Sequence, residues 1–313
     1  MYYFEKKRQF NTLNRRSFFL FLGKVSIFSA LGFRLFNIQI TNSGKYKTLS
    51  KNNQINVEIL YPVRGEITDR NNKIIATNTK VFHLYVVPEK TVDIRKTLNN
   101  LSSFIKIDFK KKIKILKLSE KIKKFERIKI IENLNWKDLE LIETNKNYLP
   151  GLELIEDYQR IYPESKYFSH LLGYVNQPSK KDLNLPYIAN MPKLNIGQNG
   201  LEKSYNEELI GIPGNREVEV NASGRVIREI SLKNSFKGKN IQLTFDLNLQ
   251  KFLHKQLLDY RAGSIVVMKV DDGDIISMAS SPTFDANLIA KKPNQKYWNQ
   301  IINNPLSPLT DRS

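Results

Sequence analysis

Residues 17–40 read SFFLFLGKVSIFSALGFRLFNIQI, an apolar run interrupted only by Lys24 and Arg34. At ~1.5 Å per helical residue such a run crosses ~30 Å of hydrocarbon. A lysine near the middle of a span costs about 3 kcal/mol on insertion scales, but its stem can carry the ammonium toward the interface, and Arg34 lies close enough to the far end to do so easily. Lys6, Lys7, Arg8, Arg15 and Arg16 precede the run against Glu5, a net +4 over residues 1–16. That asymmetry predicts a cytoplasmic tail (1–16), an anchor (17–40) and everything after residue 40 on the outer side. Two alternatives compete with an uncleaved anchor. A cleaved signal needs a small-residue site, for which Gly32-Phe33-Arg34-Leu35 is a poor match, although Arg15-Arg16-Ser17-Phe18 has the look of a twin-arginine export signal. A buried core helix is the other.

The remaining chain is long enough for packed domains. It has 313 residues, of which 41% are apolar, and a formal charge of +19 from 50 basic and 31 acidic side chains. Domains of ~100–200 residues would make this about two. There is no cysteine, which excludes disulfides, thiolate zinc sites and cysteine nucleophiles. A charge of +19 suggests nucleic acid at first, yet the basic tail holds +4 of it and residues 106–129 another +8. With most of the excess in two short segments, and Lys, Ile and Asn abundant together as in AT-rich coding, no nucleic-acid partner is expected. The lysines of 106–129 read either as a solvated helix face or as a patch for a partner or lipid surface.

The pattern after residue 40 alternates short strands with helices. Residues 64–75 read as a strand, an Asn-rich turn and a return strand, and Val81–Val87 as a strand stopped by Pro88. Residues 91–130 look helical, with Phe109, Ile113 and Leu116, then Leu118, Ile122 and Phe125, at helical spacing. Asn135 is placed to cap a helix carrying Trp136, Leu139 and Ile142. Leu201, Tyr205 and Leu209 share one face of a helix ended by Gly211, and residues 217–230 form a hairpin turning at Asn221–Gly224. A new pattern begins at about Gly238: a strand (Ile241–Phe245), a helix capped by Asp246, and two strands joined at Asp272-Gly273. A boundary is therefore expected there.

Four blocks, in order, resemble the class B penicillin-binding proteins, most closely the elongation type, penicillin-binding protein 2. They are Arg64-Gly65-x-Ile67-x-Asp69-Arg70-Asn71; Arg160-x-Tyr162-Pro163 with His170-Leu171-Leu172-Gly173-Tyr174-Val175; Gly197-x-x-Gly200-Leu201-Glu202 through Gly214, with Asn221-Ala222-x-Gly224-Arg225; and Leu243-Thr244-x-Asp246-x-x-Leu249-Gln250 through Asn287. The resemblance implies an α+β protein: a transmembrane helix, a periplasmic pedestal or dimerisation domain (41–237), and the incomplete start of a serine transpeptidase, β-lactamase-like α/β domain (238–313). It implies anchoring in the bacterial inner membrane, peptidoglycan and lipid-linked precursors as substrates of the full-length protein, and a SEDS-type glycosyltransferase and other elongation-complex proteins as partners. A septal division transpeptidase and a non-catalytic scaffold of the glycosyltransferase are the alternatives. Independently, Arg64 and Arg70 need carboxylates if buried, and Glu202 is the expected partner of Arg64.

The family acylates a serine in Ser-x-x-Lys, completed by Ser-x-Asn and Lys-Thr/Ser-Gly. Here Ser-x-x-Lys occurs at Ser103–Lys106, in the Lys-rich helical region, and Ser-x-Asn at Ser50–Asn52 and Ser204–Asn206, while Lys-Thr-Gly and Lys-Ser-Gly do not occur. The expected nucleophile would come shortly after the segment 305–313, so a truncated transpeptidase, inactive as written, is expected, with no catalytic residue, cofactor or metal. His83, His170 and His254 are dispersed and lack metal-ligand spacing, and Asp271-Asp272-Gly273-Asp274 resembles a calcium loop without its ligand alternation. These groups are expected to be structural.

Overall fold

The computed structural model describes residues 15–44, 54–179, 182, 188, 191, 194–221, 225–290 and 295–313. The chain divides into two packing units, Met1–Asn56 with Glu217–Ile230, and Val57–Arg216 with Ser231–Ser313. In the first unit, helix α1 (Arg15–Phe36) runs into a π turn over Asn37–Thr41. Phe18–Thr41 is long and apolar enough to cross a membrane, and none of it is buried by the rest of the chain. A core helix would hide those side chains, so that alternative does not describe this segment.

The second unit is α+β. Strand β1 (Ile55–Leu60) enters it, and β2 (Ile67–Thr68) turns through Asn71-Asn72 into β3 (Ile74–Val86). Helices α2 (Ile94–Phe104) and α3 (Phe109–Lys121), strand β4 (Ile128–Ile131) and helix α4 (Trp136–Thr144) follow, and then β5 (Leu152–Ile161). Asp93, Asp108 and Asn135 cap the three helices through their side chains, as the sequence predicts for Asn135. Residues 91–130 are thus two helices and a strand. The apolar spacing of Leu118, Ile122 and Phe125 does not continue the helix, because Ile122 is already extended (ψ 166°).

Strand β3 pairs with β5 antiparallel from Thr77–Ile161 to Val86–Leu152, and its far half also pairs with β4. This 13-residue strand serves two cores. Leu84 and Val86 join Leu98, Leu101, Ile115, Ile130 and Ile142 under the three helices. Ile75 and Ala76 join Ile67, Tyr162, Phe168, Leu172 and Leu209 at the other end.

The chain continues through α5 (Ser165–Leu172), β6 (Val175–Asn176), β7 (Ile196–Gly197), and the short helices α6 (Gly200–Ser204) and α7 (Asn206–Ile210), of which Phe168, Leu172, Leu201 and Leu209 pack into that second core. The expected continuous helix breaks at Tyr205, which lies outside and is 43% exposed while Leu209 is buried. Strands β8 (Gly214–Val220) and β9 (Val226–Lys233), whose residues from Glu217 to Ile230 belong to the first unit, are the expected hairpin strands, and the predicted turn positions 222–224 lie outside the described residues. Then come β10 (Ile241–Gln242), α8 (Leu247–Leu257), the hairpin β11 (Gly263–Met268) and β12 (Ile275–Ser281), and α9 (Ala286–Ala290) and α10 (Gln295–Ile302). Phe245, Leu247, Phe284, Ala286, Ile289 and Ile301 share the core of Ile67 and Tyr162. The second packing unit therefore runs through the pattern change at Gly238 without a break.

Backbone contacts cross that point as well. Strand β10 pairs in parallel with β2, and residues 63–68 lie between two partners: Gly65 N donates to Leu209 O, Gly238 N to Val63 O, and Ile241 N to Glu66 O, at 2.8–2.9 Å. A Cβ on Gly65 would meet Lys239 O at 1.9 Å, and one on Gly238 would meet Leu209 O at 1.8 Å. Both glycines are needed because three backbones meet where a side chain has no room.

Candidate functional site

The first three motif blocks meet in one buried ionic junction, and the fourth is tied to the first two by separate hydrogen bonds at Asp69 and Tyr162. Glu202, on α6, has no exposed surface. Its Oε2 accepts from Arg64 Nε at 2.6 Å and its Oε1 from Arg160 Nε at 2.8 Å. Arg64 Nη2 also donates to the Glu202 carbonyl (2.8 Å) and Nη1 to Asn206 Oδ1 (3.0 Å), an atom that also accepts from Gly197 N. Arg160, at the end of β5, donates to Gly65 O at 2.6 Å and lies over the Tyr162 ring. The Arg64–Glu202 pair is the one the sequence predicts. Arg160 and Asn206 are additional partners, Asn206 following directly on the break at Tyr205. Arg70, also read as needing a carboxylate if buried, is exposed.

Two guanidinium groups on one carboxylate leave a net positive charge in the interior. Burial pushes the Arg64 pKa down, and neighbouring Arg160 adds to this while Glu202 opposes it. The same burial, reinforced by Glu202, raises the Tyr162 phenol, whose oxygen accepts from Val175 N. Such an arrangement binds segments together through geometry rather than through a large net energy, because desolvation offsets most of the Coulomb attraction.

The first block's acid is equally committed. Asp69 is fully buried; its Oδ1 accepts from Asn71 N (2.8 Å) and Lys73 N (2.7 Å), holding the β2–β3 turn, and its Oδ2 accepts from Leu247 N at the start of α8. Asp246 caps α8 through Asn248 N and Leu249 N. These backbone bonds, Leu249's first, keep its carboxyl below the usual range. Asn287 clamps Tyr162 in both directions, accepting from its N–H and donating to its carbonyl, each at 2.9 Å. Gln250 is buried and bridges Tyr167 O to the Met278 backbone, with Ser277 donating to its Oε1.

The other polar candidates are also spent on structure. Ser103, of the Ser-x-x-Lys spacing, is exposed at the end of α2 and donates to Asn100 O. Asn206, of the second Ser-x-Asn, belongs to the junction; the first, Ser50–Asn52, lies outside the described residues. His83 Nδ1 accepts from Asn133 N, and His170 and His254 hydrogen-bond Pro308 O and Tyr167 O. Ser313 bonds Asp311. Asp272 holds its hairpin turn, accepting from Asp274 N and pairing with Lys269. Among the described residues no cluster of three or more His, Asp or Glu could hold a metal.

The polar groups of the motif blocks are thus spent on holding the fold together. Over 314 aligned residues the chain is 32% identical to the peptidoglycan D,D-transpeptidase MrdA of Haemophilus influenzae, covering 99% of this chain and 48% of that protein. It is 31% identical to MrdA of Escherichia coli K12 (96% and 48%) and 28% identical to the transpeptidase FtsI of Buchnera aphidicola (91% and 49%). The chain thus spans about half the length of the curated relatives it matches. The solved complex between penicillin-binding protein 2 and MreC from Helicobacter pylori superposes with a TM-score of 0.66 at 25% identity, covering 82% of this chain and 48% of that one. The family model of the penicillin-binding protein dimerisation domain fits residues 59–243, from just before Arg64 to just after the β2–β10 pairing. Those residues make the chain a member of the penicillin-binding protein dimerisation-domain family.

Proposed function

We propose that this chain is the anchoring and pedestal part of an elongation-type peptidoglycan D,D-transpeptidase. The observation that carries the reading is the alignment with MrdA across almost the whole chain, together with the junction that joins the first three blocks. In this reading residues 1–16 are a cytoplasmic tail, 17–40 the inner-membrane anchor, 41–237 a periplasmic pedestal, and 238–313 the opening of the transpeptidase domain. Peptidoglycan and its lipid-linked precursors would be substrates of the whole enzyme. A SEDS-type glycosyltransferase and, because the Helicobacter pylori protein is found with MreC, an MreC-like protein would be partners in maintaining cell shape.

The test joins this chain to the second half of the Haemophilus influenzae relative at the aligned position. Fluorescent penicillin should label the fusion and not the chain alone, and the fusion should restore rod shape to cells depleted of MrdA. Labelling with rescue of division in cells depleted of FtsI instead would favour the septal reading, which the 28% identity to FtsI keeps as the second choice. A fusion that labels but rescues neither would sink both assignments.

A further inference from the structure

Helix α3 has a solvent face that neither the junction nor the pedestal reading uses. Its sequence is FKKKIKILKLSEK, with Ile115 alone fully buried. Lys110, Lys114, Lys117 and Lys121 fall at i, i+4, i+7 and i+11, which places them in one stripe about 16 Å long on the side away from Ile115. All four are exposed. Of the carboxylates adjacent in sequence, Asp108 caps the helix by accepting from Lys110 N and Glu120 lies on the helix itself, and among the described residues no carboxylate forms an ion pair with the stripe. Beside it Phe109 is 72% exposed and Ile113 38%.

This stripe works against the helix that carries it. Like charges at i,i+4 repel, and Lys110, Lys111 and Lys112 crowd the first turn, where the helix dipole disfavours cations. An anion lying along the face would relieve both effects.

We propose that the solvent face of α3 is a docking strip for an anionic phospholipid surface. Three observations favour lipid over an acidic polypeptide. The helix contains lysine and no arginine, and lysine's compact charge suits a diffuse field of phosphates, whereas discrete carboxylates favour the arginine fork. Exposed Phe109 and Ile113 next to lysines are the composition of interfacial helices. The same polypeptide also carries a helix of bilayer-spanning length, so a lipid surface needs no separate encounter.

The absence of cysteine makes a clean test. Full chain carrying Glu120→Cys is labelled with a nitroxide, which leaves every lysine in place, and inserted in nanodiscs of phosphatidylcholine alone or with phosphatidylglycerol. The ratio of oxygen to nickel-chelate accessibility should rise about twofold or more in the anionic discs, since surface attraction of this kind is strong at low salt and screened at high salt. The rise should vanish at 0.5 M salt and in the Lys110→Gln, Lys114→Gln, Lys117→Gln, Lys121→Gln variant, whose fold is checked by circular dichroism. An equal ratio in both discs overturns the proposal. So does a rise that survives salt, or a larger change on adding polyglutamate to phosphatidylcholine discs, which would assign the face to an acidic polypeptide.

Discussion

Replacing Glu202 by glutamine tests the junction against a control that the same molecule supplies. Glu202 accepts from two cations at 2.6 and 2.8 Å, and so does Glu153, from Lys90 and Arg127 at the same two distances. They differ in burial: the Glu202 side chain is 0% exposed and that of Glu153 is 22%. In Glu202→Gln one carboxylate oxygen becomes an NH₂ facing a guanidinium N–H, and two buried arginines lose their counter-charge. Breaking such a pair costs about 3–5 kcal/mol, against ~0.2–1 kcal/mol for an exposed one. With a urea slope near 3 kcal/mol/M, a loss of about 4 kcal/mol moves the midpoint down by ~1.3 M, and Glu153→Gln should move it by under ~0.4 M. Amide exchange at Gly65, whose N–H bonds Leu209 O beside the junction, should accelerate in Glu202→Gln alone, and a protease should cut within residues 60–75. Equal midpoint shifts in the two variants, with unchanged exchange at Gly65, would refute the claim that burial sets the importance of this carboxylate.

Further expectations follow from other sites. Gly238→Ala should destabilise by ~1–3 kcal/mol in the same urea experiment, because its Cβ would meet the Leu209 carbonyl carbon and oxygen at 2.5 and 1.8 Å and only backbone could yield. Asn135→Ala should cost ~1 kcal/mol in thermal melting by removing the α4 cap to Asp138 N. Burial pushes His170 and His254 below their ordinary value, and the unfolded chain binds those protons more readily. Their contribution is therefore complete above about pH 6.5 and is lost as pH falls through the window down to their folded values. A denaturation series from pH 7.5 to 5 should show this decline, flattened in His170→Gln/His254→Gln.

Much of this architecture is legible in local chemistry. The Asn71-Asn72 turn, the caps at Asn135 and Asp246, and the Asp272-Gly273 hairpin each depend on neighbouring residues, and each is where the sequence puts it. The Arg64–Glu202 pair is legible for a different reason, since a buried guanidinium demands a carboxylate. The third member, Arg160, is not, because nothing local says that β5 ends over Gly65. The Lys-rich segment misleads because Ile128 and Ile130 alternate over only four residues, too short a strand to stand out from the helical spacing around it. The break at Tyr205 is likewise not legible locally, and the residue after it, Asn206, is bonded by Arg64 from 142 residues away.

The parallel pairing of β2 with β10 has a consequence for synthesis. Ile67 leaves the ribosome 174 residues before its partner Ile241, a delay of about 9–35 s at ~5–20 residues per second. Throughout it the backbone of residues 63–68 lacks its second flank. Arg64 also waits for Glu202 and Asn206. The helical lobe around Leu98 and Ile115 draws all its buried residues from positions 84–152 and can close long before. That lobe has all its residues in hand while the ionic junction is still open, so the order of synthesis separates the two halves of the fold in time.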